Sequence, residues 1–197
     1  MSKWHGQLGQ DRFVAIALGH KVGGTFADIG AGEPETISNT MALERDYGWR
    51  GVLCDLAHFE ALRKGRSARN WIHDDAQTLP WHDALAPLVD GDGFIDYLSL
   101  DLEPPELTAE VLLQIPLRDF RFRIASVEHD RYRDGELGER RAAMMRALMR
   151  WRGYVPVAEL SLRDDKTGEQ IAIEDWWVHC ESGLADRIAY VLKEVKS

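Results

Sequence analysis

Two groups of residues in this chain have types and spacings that can do chemistry. The first is Asp28-Ile29-Gly30-Ala31-Gly32, a carboxylate and two glycines closing an apolar run. Asp55 ends the next apolar run. Glycines let the backbone turn tightly and approach a ligand. An acid at the second strand end commonly hydrogen-bonds ribose hydroxyls. The second group is Asp101 and Glu103, followed at a distance by Glu128, His129 and Asp130. Carboxylates and an imidazole at neighbouring strand ends can take up a proton or bind a divalent cation.

The first group points to a ribose-bearing cofactor, against the alternative of ordinary structural turns. A dinucleotide loop wants a third glycine, and that position is Glu35; Glu33 stands close by. A carboxylate about 5 Å from a phosphate costs on the order of 3 kcal/mol at an effective dielectric near 20. Two acids therefore oppose a pyrophosphate. S-adenosyl-L-methionine carries a ribose, a sulfonium and an ammonium but no phosphate, and it tolerates acids there. Asp28 fits the same picture. A plainer alternative places Glu33 and Glu35 at a helix start, where acids favour the helix dipole.

These residues need a scaffold. Apolar strand patterns fall at 24–30, 50–56, 70–74, 93–103 and 122–130. Helical patterns fall at 10–20, 35–48, 57–66, 81–89, 106–115, 136–152 and 183–196, with Gly48 as a C-cap. Met144, Met145, Leu148, Met149 and Trp151 form the apolar side of the helix at 136–152, and Gly153 stops it. Segments 154–160 and 171–180 read as a closing hairpin. Such alternation predicts an α/β fold: a mostly parallel sheet, helices on both faces, and an antiparallel C-terminal hairpin. Ligands of such sheets bind beyond the carboxyl ends of the strands.

The chain has 197 residues, which suits one domain over 1–197. A formal charge of -9 argues against a broad nucleic-acid surface. The start is polar, and no apolar run is long enough for a membrane span. The expectation is a cytoplasmic protein with no membrane and no nucleic-acid partner. Cys54 and Cys180, in apolar strand-like stretches, read as buried free thiols.

The segment DIGAGEPETISNTMALERDYGWRGVLCD resembles the first half of the FkbM-type S-adenosylmethionine-dependent methyltransferases. The resemblance continues in GQDRF (9–13), IDYLSLDLE (95–103), SVEHD (126–130), RGY (152–154) and EDWWVH (174–179). It implies a seven-stranded Rossmann-like class I methyltransferase fold. It also implies O-methylation of a hydroxyl on a sugar, nucleotide sugar or other small metabolite. By position, Asp28, Gly30, Ala31 and Gly32 would line the methionine part of the cofactor, with Asn39 from the Ser-Asn-Thr segment. Asp55 would bind the ribose, and Asp75 with Ala76 would face the adenine. Gln10 and Asp11 would close over the cofactor. The family usually has Asn-Asp-Gly at Glu33-Pro34-Glu35 and Gly-Ala-Glu at Pro104-Pro105-Glu106. Acceptor pockets of this fold draw on loops and partner subunits, so a homo-oligomer is among the expectations.

Two catalytic readings stay open. In one, Asp101 or His129 is a general base, with Glu128 beside it. In the other, Asp101, Glu128 and His129 bind magnesium or manganese, which acidifies the acceptor hydroxyl. Both rest on alternation: in extended strands Asp101 faces with Glu103, and Glu128 with Asp130. Salt bridges to Arg121, Arg123, Arg131 or Arg133 are the structural alternative. His179 ends the WWVH strand and is a further candidate to approach the site; Trp176 and Trp177 alternate faces, so one belongs to the core and the other either walls the acceptor pocket or, as the simpler reading, packs in the core as well. Two other functions compete: an NAD-dependent oxidoreductase, which the missing third glycine opposes, and an inactive binding module, for which Glu-Pro-Glu would be the break.

Overall fold

The computed structural model describes residues 4–163, 167–184 and 187–188. The order of elements is α1 (Gln10–Ala17), β1 (Thr25–Ile29), α2 (Met41–Tyr47), β2 (Arg50–Cys54), α3 (Phe59–Gly65), β3 (Trp71–His73) and α4 (Trp81–Leu85). Then come β4 (Phe94–Leu100), α5 (Pro105–Gln114), β5 (Arg121–Glu128), α6 (Glu136–Trp151), β6 (Tyr154–Arg163) and β7 (Gln170–His179). The expected last helix at 183–196 falls largely outside the described residues.

The strands form a single seven-stranded sheet ordered β3-β2-β1-β4-β5-β7-β6. The first five strands pair in parallel. β7 runs antiparallel to both β5 and β6. This is the expected architecture. The central strands are buried throughout, as a sheet covered on both faces requires. Alternate residues feed two cores. Ala27, Ile29 and Leu98 pack under α4, α5 and α6. Phe26, Leu53 and Tyr97 pack under α1, α2 and α3. Trp176 and Trp177 divide between these cores, so neither walls a pocket.

Several expected boundaries move for local reasons. α2 begins at Met41, not at 35. Ile37 takes a left-handed φ of 55°, which breaks a helix, and the Met41 amide donates to Ser38 Oγ at 3.1 Å. Glu33 and Glu35 therefore stand in a loop, and the helix-dipole reading of them is wrong. α1 ends where Gly19 and His20 turn left-handed. β4 and β5 stop at Leu100 and Glu128, short of Asp101 and Asp130. On α6, Met145 and Met149 are buried, but Met144 and Trp151 are exposed. Cys54 is a buried free thiol; Cys180 is free but exposed, in the turn after β7.

Candidate active site

The carboxyl ends of β1, β2, β4 and β5 meet at one edge of the sheet. There the Gly30 and Ala31 amides both donate to the Cys54 carbonyl, at 2.8 and 3.1 Å. The two glycines do different things. Gly30 has a φ of 85°, and a Cβ on it would lie 1.5 Å from the Asp101 carbonyl oxygen. Its close approach is to backbone of this chain. Gly32 has a φ of 63°, and a Cβ on it would meet nothing within 4 Å. The space beside Gly32 is open.

That space belongs to two adjoining cavities. The larger, about 730 Å³, has Gly30, Gly32, Asp55 and His58 on one side. Asp101, Glu103, Glu128 and Asp130 line the other side, with Tyr132 and Arg133 at the wall. The smaller, about 240 Å³, lies among Asp28, Ala31, Gly32, Asn39 and Asp101.

Asp28 is fully buried, and burial raises its pKa. It accepts from Thr40 Oγ1 at 2.6 Å, and Arg66 donates to the same oxygen at 3.0 Å. Arg66 also donates to Glu44 at 2.9 Å. This network pins residues 38–41 beside the glycine turn. Asn39 is 8 % exposed and donates through Nδ2 to Ser99 Oγ at 3.0 Å, while its Oδ1 has no partner. A buried acceptor without a donor is costly, so this atom suits an incoming N–H. Asp55 accepts the Gly32 amide at 2.9 Å on one oxygen. Its other oxygen accepts the His58 amide at 2.8 Å and meets His58 Nδ1 at 3.0 Å.

Asp101 and Glu128 are hydrogen-bonded carboxyl to carboxyl, which requires a proton between them. Burial, then the Asp101 carboxylate, pushes Glu128 up to about 11. Burial likewise raises Asp101 and Asp130. Asp130, at a left-handed φ of 39°, turns back toward the cavity and meets Arg133 Nε at 2.5 Å. Arg133 also donates to Glu103 at 2.7 Å. The four acids thus converge as expected, although loop geometry rather than strand alternation brings Glu103 and Asp130 in.

His129 does not join them. Side chains alternate at the end of β5, and the imidazole takes the face opposite the cavity. It is 2 % exposed, with Nε2 at 3.3 Å from Arg146 and 3.8 Å from Asp175. Burial lowers its pKa to about 4, so the ring is neutral at ordinary pH. The expected trio Asp101, Glu128 and His129 is not assembled, either for base catalysis or for a metal. Among the described residues His129, Glu159 and Asp175 do have metal-ligand spacing. Arg146 already fills that cluster, donating to Asp175 and Glu159 at 2.6 Å each. His179 is also misplaced by the expectation. β7 runs opposite to β5, so this ring sits at the far end of the sheet against Phe94 and Tyr154.

Gln10 lines neither cavity; it reaches Glu174 at 3.2 Å and receives the Leu8 amide at 2.9 Å. Asp11 holds the His5 amide at 2.7 Å. Gln7, not expected, reaches the larger cavity instead. Ala76 packs in the core and Asp75 accepts the Gln77 amide at 2.9 Å, just beyond β3. Neither lines the cavities. Glu174 is a further miss. It is buried opposite Glu128, receives Trp176 Nε1, and burial lifts it to about 8. The acid in EDWWVH and the reversed strand direction together place it there.

No family model and no curated protein matches this sequence. Solved structures do. The METTL16 MTase domain is 16% identical, with 87% of this chain and 67% of that chain covered at a TM-score of 0.56. PH1948 of Pyrococcus horikoshii, a candidate RNA methyltransferase, is 13% identical, with 89% and 83% covered at 0.52. With the strand order and the cavity at the strand ends, these similarities define a Rossmann-like class I methyltransferase fold. At such identities they say nothing of the acceptor. Among the described residues, no helix is long and apolar enough to cross a membrane.

Proposed function

We propose that this chain is a single-domain S-adenosylmethionine-dependent methyltransferase of the FkbM type, acting on a hydroxyl of a sugar, nucleotide sugar or other small metabolite. One observation supports it most: the open space beside Gly32 is bounded by carboxyls and by Asn39, whose buried Oδ1 has no partner. Such a site suits a nucleoside with an ammonium and a sulfonium, and it opposes a pyrophosphate. Asn39 Oδ1 would accept from the ammonium. Asp55 would take ribose hydroxyls by releasing His58 Nδ1. The resemblance would have Asp75 and Ala76 face the adenine from just beyond β3, although neither lines the cavities.

When bound, the donor supplies a methyl group on a good leaving group. The chain must align the acceptor oxygen and take its proton. Asp101 lines both cavities, and Glu128, pushed up by burial, is the member of the pair taken to keep the shared proton. Asp101 takes the hydroxyl proton, and Glu128 holds it in place. The Glu33-Pro34-Glu35 segment leaves the turn intact: Pro34 packs against Gly65, and the Glu35 carbonyl accepts from His5 at 2.6 Å. This disfavours the inactive module.

Thermal unfolding with and without S-adenosylhomocysteine tests the reading, with NAD as control. Ligand at 100 times its Kd should add about 2.7 kcal/mol, a rise of several degrees. A rise with NAD alone refutes it. Asp101→Asn should keep the S-adenosylhomocysteine shift and lose methyl transfer at least a hundredfold; unchanged transfer would remove Asp101 from the chemistry.

A further inference from the structure

Leu137, Met144 and Trp151 on α6 are spaced at equal intervals of one heptad. A heptad falls only about 20° short of two full turns, so the three lie in one stripe along the helix. They are 63, 38 and 67 % exposed, while Met145 and Met149 hold the helix to the core. Scattered apolar side chains are ordinary on a protein surface. An aligned row ending in a tryptophan is a surface for another helix to cover.

Charge is unevenly spread along the same helix. Its first turn carries Glu136 and Glu139, both exposed. They meet Arg140 at 2.6 Å and Arg131 at 3.6 Å. Such exposed pairs are worth little and leave the carboxylates open to a second partner. The far end is basic. The Arg152 and Arg118 guanidiniums lie 4.1 and 5.2 Å from the centre of the Trp151 ring, and that of Arg150 lies 5.7 Å from the Trp177 ring. Among the described residues, none of these three guanidiniums has a carboxylate partner.

Met144 stands midway between Leu137 and Trp151. A two-fold axis beside Met144 therefore sets two α6 helices antiparallel, with Met144 against its own copy and Leu137 against Trp151 of the second copy. The same rotation brings the basic end of each helix to the Glu136 and Glu139 end of the other. It also opposes the helix dipoles. Any other partner would have to match both patterns separately; a second copy matches them by symmetry.

We infer that α6 is the interface of an isologous homodimer, packed antiparallel about Met144. This inference is independent of the methyltransferase reading.

The test is sedimentation of the full chain over a range of concentrations, followed by directed crosslinking. The chain should associate to a dimer and no further; a chain that stays monomeric overturns the inference. Met144→Glu, at an exposed position, sets two carboxylates face to face on the axis and should weaken association at least about tenfold. Arg150→Glu should weaken it about threefold, and adding Glu139→Arg should restore it. These two positions are three turns apart on one helix, so only a second copy brings them together. In a Cys180→Ser background, Met144→Cys should crosslink to itself under mild oxidation. Leu137→Cys lies about 21 Å from its own copy in this arrangement, so it should crosslink only when mixed with Trp151→Cys. All three substituted positions are exposed, so the crosslinks are read on folded protein. A dimer that survives Met144→Glu unchanged, or one in which Leu137→Cys crosslinks to itself, overturns the inference.

Discussion

Replacing Gly30 and Gly32 separately by alanine should split folding from ligand binding. Both have positive φ, 85° and 63°, so each alanine carries a left-handed penalty of about 1–2 kcal/mol. At Gly32 that is the whole folded-state cost, because the added methyl meets nothing within 4 Å. At Gly30 the methyl would sit 1.5 Å from the Asp101 carbonyl oxygen and 2.5 Å from its carbon. Both atoms are backbone, and the Asp101 amide is tied to Ile29 at 2.9 Å, so neither strand end yields freely. Forced overpacking adds about 1–3 kcal/mol. Gly30→Ala should therefore lose about 2–5 kcal/mol, on the order of 10 °C in Tm. Gly32→Ala should lose only a few degrees, but its methyl fills the space proposed for the donor. Calorimetry should show S-adenosylhomocysteine affinity down more than tenfold in Gly32→Ala. Full affinity in that variant would refute the placement of the ligand. Equal Tm losses would refute the division of labour between the glycines.

Three further outcomes follow from the packing and charge. Native protein should react with a water-soluble maleimide at Cys180 alone, and with Cys54 only on unfolding, since that thiol is buried and pushed up to about 12; two fast thiols in the native state would contradict this. Glu174 is raised to about 8 from an ordinary 4.5. A raised carboxyl favours the folded state below 4.5 and loses that contribution as pH rises through 8, with a slope of up to about 1.4 kcal/mol per pH unit. Denaturant melts from pH 5 to 8 should show this fall, and Glu174→Gln should flatten it; identical slopes would mean the group titrates normally. Arg146→Ala strips the buried Asp175 carboxylate of its partner and should cost about 2 kcal/mol, largely recovered by adding Asp175→Asn; a cost that Asp175→Asn does not relieve would show that packing rather than charge holds Arg146.

What could be read from the sequence was local. Apolar runs bounded by glycine and proline marked the strands, and the Asp28-to-Gly32 turn and Asp55 fell at their ends as the parallel fold demands. The start of α2 was hidden because ETISNT satisfies helix-start chemistry, yet Ile37 adopts a left-handed turn and Thr40 donates its hydroxyl to Asp28. The role of Gly30 was misjudged for a related reason: the approaching group is a carbonyl seventy-one residues further along the chain, and no local pattern announces it. Glu174 depended on long-range register. Only the pairing of Glu128 with Glu174 in antiparallel strands brings that carboxyl beside the site, and the same reversal carries His179 away from it.

The end of β5 shows why residue type alone misassigned the chemistry. Glu128, His129 and Asp130 look like one catalytic cluster, but the chain divides them between two environments. On one face Arg146 gives Asp175 its counter-charge, and burial keeps the His129 imidazole neutral. On the other face Glu128 shares a proton with Asp101, because burial penalises two charged carboxylates there and Arg133 is spent on Glu103 and Asp130. A closed ion cluster stabilises a strand end and asks nothing of a ligand. A buried carboxyl pair that shares a proton beside an open cavity is a site whose charge changes when a cation arrives. That difference, more than the identity of the residues, separates the structural half of this segment from the half proposed to do chemistry.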